Sequence, residues 1–270
     1  MKPRVLLVGC GKMGGALLTG WLERGVAGEI AVVEPSAAAT APFAARSEVR
    51  AAPDLAGLPG DFVPEIVLFA VKPQSMDAVA PAYRRFVGPH TAFLSIAAGK
   101  PLSYFSQQLG AEAALIRAMP NTPAAVGRGM TVLCANPKVA PGQRALCEAL
   151  MQAVGEAAWI EDEGLMDAVT ALSGSGPAYV FLLIECLAEA GAQAGLPADL
   201  ARQLARATVS GAGELARLAP EDPATLCRNV TSPGGTTAAA LDVLMAADGL
   251  QALMTRAVAA AARRSRELAG

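Results

Sequence analysis

Val5-Leu6-Leu7-Val8-Gly9-Cys10-Gly11-Lys12-Met13-Gly14 is an apolar run followed by the pattern Gly-x-Gly-x-x-Gly, and it decides the fold. A stretch of helical composition follows to Arg24, so the pattern lies in the strand–turn–helix context of a dinucleotide-binding fingerprint. The first glycine of such a pattern permits a tight turn, the second lets backbone approach a pyrophosphate, and the third lets helix pack closely on strand. Without that context the pattern would indicate only a glycine-rich turn. With it, the sequence predicts a nucleotide site at the start of the helix.

Short apolar runs alternate with helical composition through the first half of the chain. Continuous apolar runs of this length, separated by helices, are typical of a parallel sheet covered on both faces. The predicted strands are Val5–Val8, Ile30–Val33, Ile66–Ala70, Ala92–Ile96, Leu115–Met119 and Thr131–Ala135. From Leu165 to Leu268 nearly everything is predicted to be helix. The fold class is therefore α/β, with a doubly wound Rossmann-type domain at 1–160 followed by an all-helical dimerisation domain at 161–270.

Composition excludes a disordered chain and indicates an oligomer. Of the 270 residues, 53% are hydrophobic and 17% are charged, which is too apolar for a solvated chain. The segment Tyr179–Leu196 is apolar almost all round, so we expect it to be buried against a second copy in a homodimer. A net charge of −2 gives no reason to expect nucleic acid or an anionic membrane as partner.

The chain carries no pattern typical of secretion or of a membrane span. The apolar stretch behind the basic start ends at Gly9, short of a signal core, and the apolar segment Ala178–Ile184 is followed by Glu185 and Glu189. Five scattered cysteines without a Cys-x-x-Cys pair are expected to be small reduced core residues. With His90 as the only histidine, no metal site is predicted. We expect a cytoplasmic protein.

The predicted second strand is followed by an acid. A carboxylate at Glu34 can accept hydrogen bonds from the adenosine ribose hydroxyls and would repel a 2′-phosphate. Pro35 and Ser36 come next, so no arginine follows at once. The alternative is a solvated acid at a strand end. The position predicts that NADH is used at least as well as NADPH.

Five further motifs follow the glycine fingerprint in a fixed order. Any one of them alone is typical of a turn with a helix cap. Together they resemble the pyrroline-5-carboxylate reductase family from about residue 5 to residue 267. The motifs are Ala70-Val71-Lys72-Pro73-Gln74, Ser95-Ile96-Ala97-Ala98-Gly99, Arg117-Ala118-Met119-Pro120-Asn121-Thr122-Pro123, Leu172-Ser173-Gly174-Ser175-Gly176-Pro177-Ala178-Tyr179 and Val230-Thr231-Ser232-Pro233-Gly234-Gly235-Thr236-Thr237.

The resemblance implies an activity and a set of site residues. The activity is reduction of 1-pyrroline-5-carboxylate to L-proline with NADPH or NADH, the last step of proline biosynthesis. The resemblance also allows rings of homodimers. The residues expected at the cofactor are Val8, Gly9, Cys10, Gly11, Lys12, Met13, Gly14, Glu34, Ala70, Val71, Lys72, Pro73, Ile96, Ala97, Ala98 and Asn229. Those expected at the substrate are Glu163, Ser232, Gly234, Gly235, Thr236 and Thr237.

The last of these motifs suits an anionic ring imine. A Pro-Gly-Gly turn that leads into a helix beginning near Thr236 offers unpaired amides to a carboxylate. Neutral donors place no cation beside the ring, which must itself be an iminium to accept hydride readily. Thr237 is the expected catalytic residue, as an orienting donor or proton relay, because an aliphatic hydroxyl is a poor acid.

The sequence departs from the family pattern in two places. The loop Pro53–Pro64 is about two residues longer than is usual in the family. It also has Leu55 where the family usually has an asparagine, which puts an adenosine contact in doubt. Glu221 and Asp222 are placed differently from the family's acids and have no assigned role.

Two other classes of function remain open. A β-hydroxyacid dehydrogenase-like reductase shares the fingerprint and the helical second domain, but it uses a lysine on a helix of that domain. This chain has no lysine beyond Lys138, and the ketopantoate reductase type fails similarly. A non-catalytic nucleotide-sensing Rossmann protein would need no second site, whereas Ser232–Thr237 is intact.

Overall fold

The computed structural model describes residues 2–269 and contains one eight-stranded sheet. The strand order is β3-β2-β1-β4-β5-β6-β7-β8. The strands are β1 (Arg4–Val8), β2 (Glu29–Val33), β3 (Val49–Ala52), β4 (Ile66–Phe69), β5 (Ala92–Ser95), β6 (Ala114–Met119), β7 (Gly129–Ala135) and β8 (Gly155–Trp159).

All six predicted strands are present, and the predicted Rossmann-type α/β fold is confirmed. Two further strands, β3 and β8, were not predicted from the apolar runs in the sequence. β3 is only partly buried and contains Arg50, while β8 consists largely of glycine, glutamate and alanine, so neither forms an apolar run. The sheet is also not wholly parallel, because β7 is antiparallel to β6. The connection from Met119 to Gly129 is too short for a parallel crossover.

Alternate residues of the central strands build two separate cores, one on each face of the sheet. Val5 and Leu7 belong to one cluster together with Trp21, whereas Leu6 and Val8 belong to the other. The four strand residues are at most 2% exposed. A sheet covered on both faces explains why its strands are continuous apolar runs instead of alternating ones.

The helices differ in length between the two halves of the chain. Several helical segments of the first half are single turns, and 3₁₀ turns accompany them. The helices that precede Gly174 are α1 (Lys12–Arg24), α2 (Ala37–Thr40), α3 (Met76–Val79), α4 (Leu102–Leu109), α5 (Pro141–Gln152) and α6 (Met166–Val169). The later ones are α7 (Gly176–Gln193), α8 (Ala198–Leu218), α9 (Pro223–Asn229), α10 (Thr236–Leu244) and α11 (Leu250–Ala269).

The chain forms two compact units. The first unit comprises the residues up to Gly174 together with those from Ala262 onward, and the second comprises Ser175–Ala261. The sequence-based boundary at residue 160 follows the end of β8, where the sheet is complete. A π-helical turn, Thr170–Gly174, ends the first stretch of the first unit.

The long apolar helix of the second unit packs against α8, yet most of its residues are exposed. α7 contains no buried residue, and Phe181 and Leu182 are 60% and 58% exposed. By length and composition, the helical run Glu163–Gln193 could cross a membrane, although a single such run is weak evidence for one. An interface with another protein chain is the alternative cover for such a face.

Candidate active site

The glycine turn after β1 is built by close backbone packing. Gly9 has a φ of +93°, in the region that favours glycine, and a Cβ placed on it would lie 2.9 Å from Cγ1 of Val71. A Cβ on Gly14 would lie 2.3 Å from the carbonyl oxygen of Gly9. Both positions therefore exclude a side chain, and α1 begins directly against the end of β1.

The start of α1 leaves donors and space for an anion. The first backbone bond of the helix runs from the Gly15 amide to the Gly11 carbonyl at 2.7 Å, so the amides of Lys12, Met13 and Gly14 come before the helical ladder. A Cβ on Gly11 would meet no atom within 4 Å. An open cradle of amides at a helix N-terminus fits the diphosphate of a dinucleotide.

Glu34 is fixed at the edge of this cradle. Its Oε2 accepts a hydrogen bond from the Cys10 amide at 2.8 Å, and its Oε1 accepts one from the Ser36 amide at 2.9 Å. Each carboxylate oxygen has a further lone pair, so both remain able to accept from a ribose hydroxyl. The two amides hold the negative charge in place next to the glycine turn.

The ends of β1, β4 and β5 lie side by side because these strands are adjacent and parallel. The Ala70 amide donates to the Val8 carbonyl at 2.8 Å, and the Ile96 amide donates to the Phe69 carbonyl at 3.1 Å. The structure therefore brings the glycine turn, Ala70–Pro73 and Ile96–Ala98 to one edge of the sheet. Ligands of open α/β sheets bind at this edge.

Glu163 lies in the first unit and is already engaged. Its Oε1 accepts from the Leu102 amide at 2.8 Å and from Nη1 of Arg117 at 3.0 Å. The Arg117 side chain is 10% exposed and the Glu163 side chain is 28% exposed. Arg117 lies in one of the sequence motifs, but its role cannot be predicted from the motif because its partner is 46 residues away.

Asn121 is a second residue of that motif whose contacts only the structure reveals. Its Oδ1 accepts from the Met130 amide at 2.9 Å, and its Nδ2 donates to the Ser173 carbonyl at 3.3 Å and to Ser173 Oγ at 3.2 Å. A Cβ on Gly174 would lie 2.5 Å from Cε of Met119. Two of the quoted motifs are thus packed together.

The turn Ser232–Thr237 lies in the second unit and precedes α10. Of the two glycines in this turn, only the first takes positive φ. Gly234 has a φ of +69°, whereas Gly235 has a φ of −81° and is the N-cap of α10. The physical reason is the turn itself, in which the Gly235 amide donates to the Ser232 carbonyl at 3.0 Å.

The start of α10 presents free donors. Ala239 donates the first helical bond, to the Gly235 carbonyl at 3.2 Å, so the amides of Thr236, Thr237 and Ala238 come before the ladder. Within residues 2–269, the Thr237 hydroxyl has no hydrogen-bond partner. Thr237 is the second residue of α10 and is not its N-cap. Its hydroxyl is therefore available to a ligand.

Asn229 and Asp222 occupy opposite ends of α9. Asn229 is the last residue of the helix and is exposed. Asp222, which the sequence left unassigned, is the N-cap and accepts from the Thr225 amide at 3.0 Å and the Thr225 hydroxyl at 2.9 Å. The bonds from Thr225 lower the pKa of the Asp222 carboxyl. Its role in the second unit is to begin a helix.

Leu55 packs against the core formed around Phe69, so the leucine has a packing role in the loop where an asparagine is usual.

Cys10, Cys134 and Cys147 are buried, but Cys186 is exposed and Cys227 is half-buried, so the expectation of five core cysteines is wrong for these two. Burial raises the pKa of Cys10 to about 11, with a smaller contribution from Glu34.

Comparisons with known proteins match both parts of the chain. Residues 163–268 match the family model described as pyrroline-5-carboxylate reductase dimerisation, and residues 4–99 match the model described as NADP oxidoreductase, coenzyme F420-dependent. The pyrroline-5-carboxylate reductase of Synechocystis is 43% identical over 270 residues, with 99% of each chain covered.

Solved structures agree with the sequence relatives. A pyrroline-5-carboxylate reductase from Coxiella burnetii has a TM-score of 0.92 at 34% identity, with 99% of each chain covered. The Plasmodium falciparum pyrroline carboxylate reductase, solved with NADP bound, has a TM-score of 0.79 at 26% identity, covering 99% of this chain and 98% of that one. These matches do not favour the dehydrogenase or the nucleotide-sensing alternatives.

Proposed function

The chain belongs to the pyrroline-5-carboxylate reductase family, and we propose that it reduces 1-pyrroline-5-carboxylate to L-proline at the Ser232–Thr237 turn, with NADH or NADPH as cofactor. This is the last step of proline biosynthesis. The observation that carries the proposal is the start of α10, where three amides precede the helical ladder and the Thr237 hydroxyl has no partner in the described chain. Such a group of neutral donors suits a carboxylate attached to a ring imine.

The first unit holds the dinucleotide in this proposal. The amides at the start of α1 bind the diphosphate, while Ala70–Pro73 and Ile96–Ala98 line the remainder. Glu34 accepts from the adenosine ribose. Bound there, the reduced nicotinamide supplies the hydride. Asn229 belongs to the second unit, and it is included in the proposed set of cofactor residues because the family resemblance implies it.

The second unit orients the substrate. The Thr236 and Thr237 amides and Ser232, with the backbone at Gly234 and Gly235, hold the carboxylate. Thr237 hydrogen-bonds the ring nitrogen, either as a donor to the neutral imine or as a relay of the proton that converts the imine to an iminium. Because that hydroxyl is not an acid near neutral pH, its task is alignment and not titration. Glu163 belongs to the first unit, and its proposed role at the substrate is the one that the family resemblance implies.

The protein is proposed to act as a homodimer, and rings of such dimers are compatible with the family. The exposed apolar residues of α7 and the match of residues 163–268 to a dimerisation model support this assembly. A second copy would cover the apolar residues of α7 that are exposed in the described part of the chain. A cytoplasmic location is part of the same proposal.

The assay is oxidation of NADH and of NADPH by purified protein, with and without pyrroline-5-carboxylate. We expect loss of reduced nicotinamide only when the imine is present, and proline as the product. Two hydroxy acids, one 2-hydroxy and one 3-hydroxy, are the comparison substrates, and they are assayed in the oxidative direction with NAD⁺ and NADP⁺. Turnover of a hydroxy acid with none of the imine would refute the proposed function.

A further inference from the structure

The loop Ile96–Pro101 connects β5 to α4 and is held at both ends. At its first end, the Ile96 amide donates to the Phe69 carbonyl at 3.1 Å and the Ala97 amide donates to Ser95 Oγ at 3.2 Å. At its far end, the Leu102 amide donates to Glu163 Oε1 at 2.8 Å. Leu102 is the first residue of α4, so a carboxylate from 61 residues away receives the first amide of that helix.

Arg117 fixes the position of that carboxylate. Its Nη1 donates to the same Oε1 of Glu163 at 3.0 Å, from a side chain that is 10% exposed. The negative charge is stabilised twice, by the guanidinium and by the N-terminus of α4. Without Glu163 the buried guanidinium would lose its partner, and such a loss is strongly unfavourable. The three groups therefore form one hydrogen-bonded connection between β6, α4 and the turn after β8.

We infer that Arg117 is a positioning residue that acts through Glu163 to fix the Ile96–Ala98 loop for the dinucleotide. The inference rests on the proposed function, because it takes this loop to contact the cofactor. The two carboxylate oxygens of Glu163 have different roles. Oε1 accepts both protein donors, whereas Oε2 accepts none from residues 2–269 and belongs to a side chain that is 28% exposed. One oxygen is structural and the other is left for a ligand.

The test is direct binding of NAD⁺ and NADP⁺ to the full-length protein by calorimetry. Arg117→Met removes the cation and should weaken dinucleotide binding roughly tenfold, since misplacing a binding group by about 1 Å costs up to about 100-fold. Arg117→Lys should recover part of the affinity. Arg144→Met is the matched control, because Arg144 pairs with Glu161 beside the same turn and touches none of the groups named above. Its dissociation constant should match the wild type.

Coupling to Glu163 separates positioning from simple stability. Glu163→Gln keeps an acceptor for Leu102 but loses the ion pair, so Arg117→Met should add little in that background. A folded Arg117→Met protein with a lowered melting temperature and wild-type dinucleotide affinity would overturn the inference. The inference would also be overturned if Arg117→Met weakened dinucleotide binding as much in the Glu163→Gln background as in the wild type. If Arg117→Met does not fold, the same comparison is made with Arg117→Lys.

Failure of this inference and failure of the proposed function give different results. A wild-type protein that binds a dinucleotide but does not reduce pyrroline-5-carboxylate would refute the proposed function and leave the calorimetric test intact. Full imine turnover combined with unchanged dinucleotide affinity in Arg117→Met and Glu163→Gln would refute only the role of Arg117.

Discussion

The two units of this protein bury their apolar residues in opposite ways. The first has a sheet covered on both faces, with β4 and β5 fully buried and Trp21 inaccessible to solvent. The second contains the most apolar helix of the described chain that is longer than ten residues, yet α7 has no buried residue. The first unit can therefore stabilise its own core, whereas the second presents surface that needs another chain.

The same contrast applies to the ligands. In the first unit the residues proposed for the dinucleotide are mostly backbone groups at the ends of buried strands, held by neighbouring strands. In the second unit the proposed substrate turn consists of exposed or half-exposed residues, with Gly234 at positive φ. Affinity for the cofactor should therefore depend on the stability of the first unit, and affinity for the substrate should depend on the stability of the second unit.

The largest expected effect comes from opening the core of the first unit. Trp21→Ala removes a fully buried indole whose Nε1 donates to the Leu150 carbonyl at 2.9 Å. We expect a loss of about 3–5 kcal/mol in unfolding free energy, measured by urea denaturation. Trp159→Ala, at a half-buried tryptophan of the same unit, is the control and should cost less. Equal losses would contradict the self-contained core.

The next effect should appear in the second unit as a change of mass. Phe181→Glu places a charge on the exposed apolar face of α7, and a charge buried without a partner in an interface costs about 2 kcal/mol or more. Light scattering should show wild-type particles of at least twice 27.4 kDa and a smaller mass for the variant. Gln107→Glu adds the same charge to an exposed site of the first unit and should leave the mass unchanged. A wild-type mass near 27.4 kDa at micromolar concentration would contradict the assembly.

A smaller effect, specific to the substrate, is expected at Thr237. Thr237→Ala removes one aligned donor, so kcat/KM should fall by about 1–3 kcal/mol, roughly 5- to 150-fold, while dinucleotide affinity stays unchanged. Stability should also hold, because Gly235 and not Thr237 is the N-cap of α10. Thr255→Ala, on α11, is the matched control and should keep full activity. Lower stability with unchanged kcat/KM would make Thr237 a structural residue only.

The smallest effect concerns cofactor choice in the first unit. Glu34→Ser removes the carboxylate held by the Cys10 and Ser36 amides, so the ratio of kcat/KM for NADPH to that for NADH should rise about fivefold, as expected for one partly exposed charge. Glu29→Ser, at the opposite end of β2, should leave the ratio unchanged. No gain for NADPH in Glu34→Ser would remove Glu34 from the selection of cofactor.

Local patterns in the sequence determined the class of fold and the position of the glycine turn. Short apolar runs separated by helical composition, such as Val5–Val8, are typical of strands buried on both faces, and Gly9 and Gly14 lie where a Cβ would collide with neighbouring atoms. The order of the motifs also indicated the family, which the relatives confirm. These features depend on residues close together in the chain, so a one-dimensional pattern contains them.

Only the tertiary structure decided which distant residues meet. It showed that β7 is antiparallel, that Gly234 and not Gly235 takes positive φ, and that Asp222 begins a helix. It also paired Arg117 with Glu163 across 46 residues and brought the Leu102 amide to the same oxygen. A buried ion pair leaves no local periodicity in the sequence, because its geometry depends on how the whole sheet is ordered. The motifs can be identified from the sequence by itself, whereas the contacts between them depend on the tertiary structure.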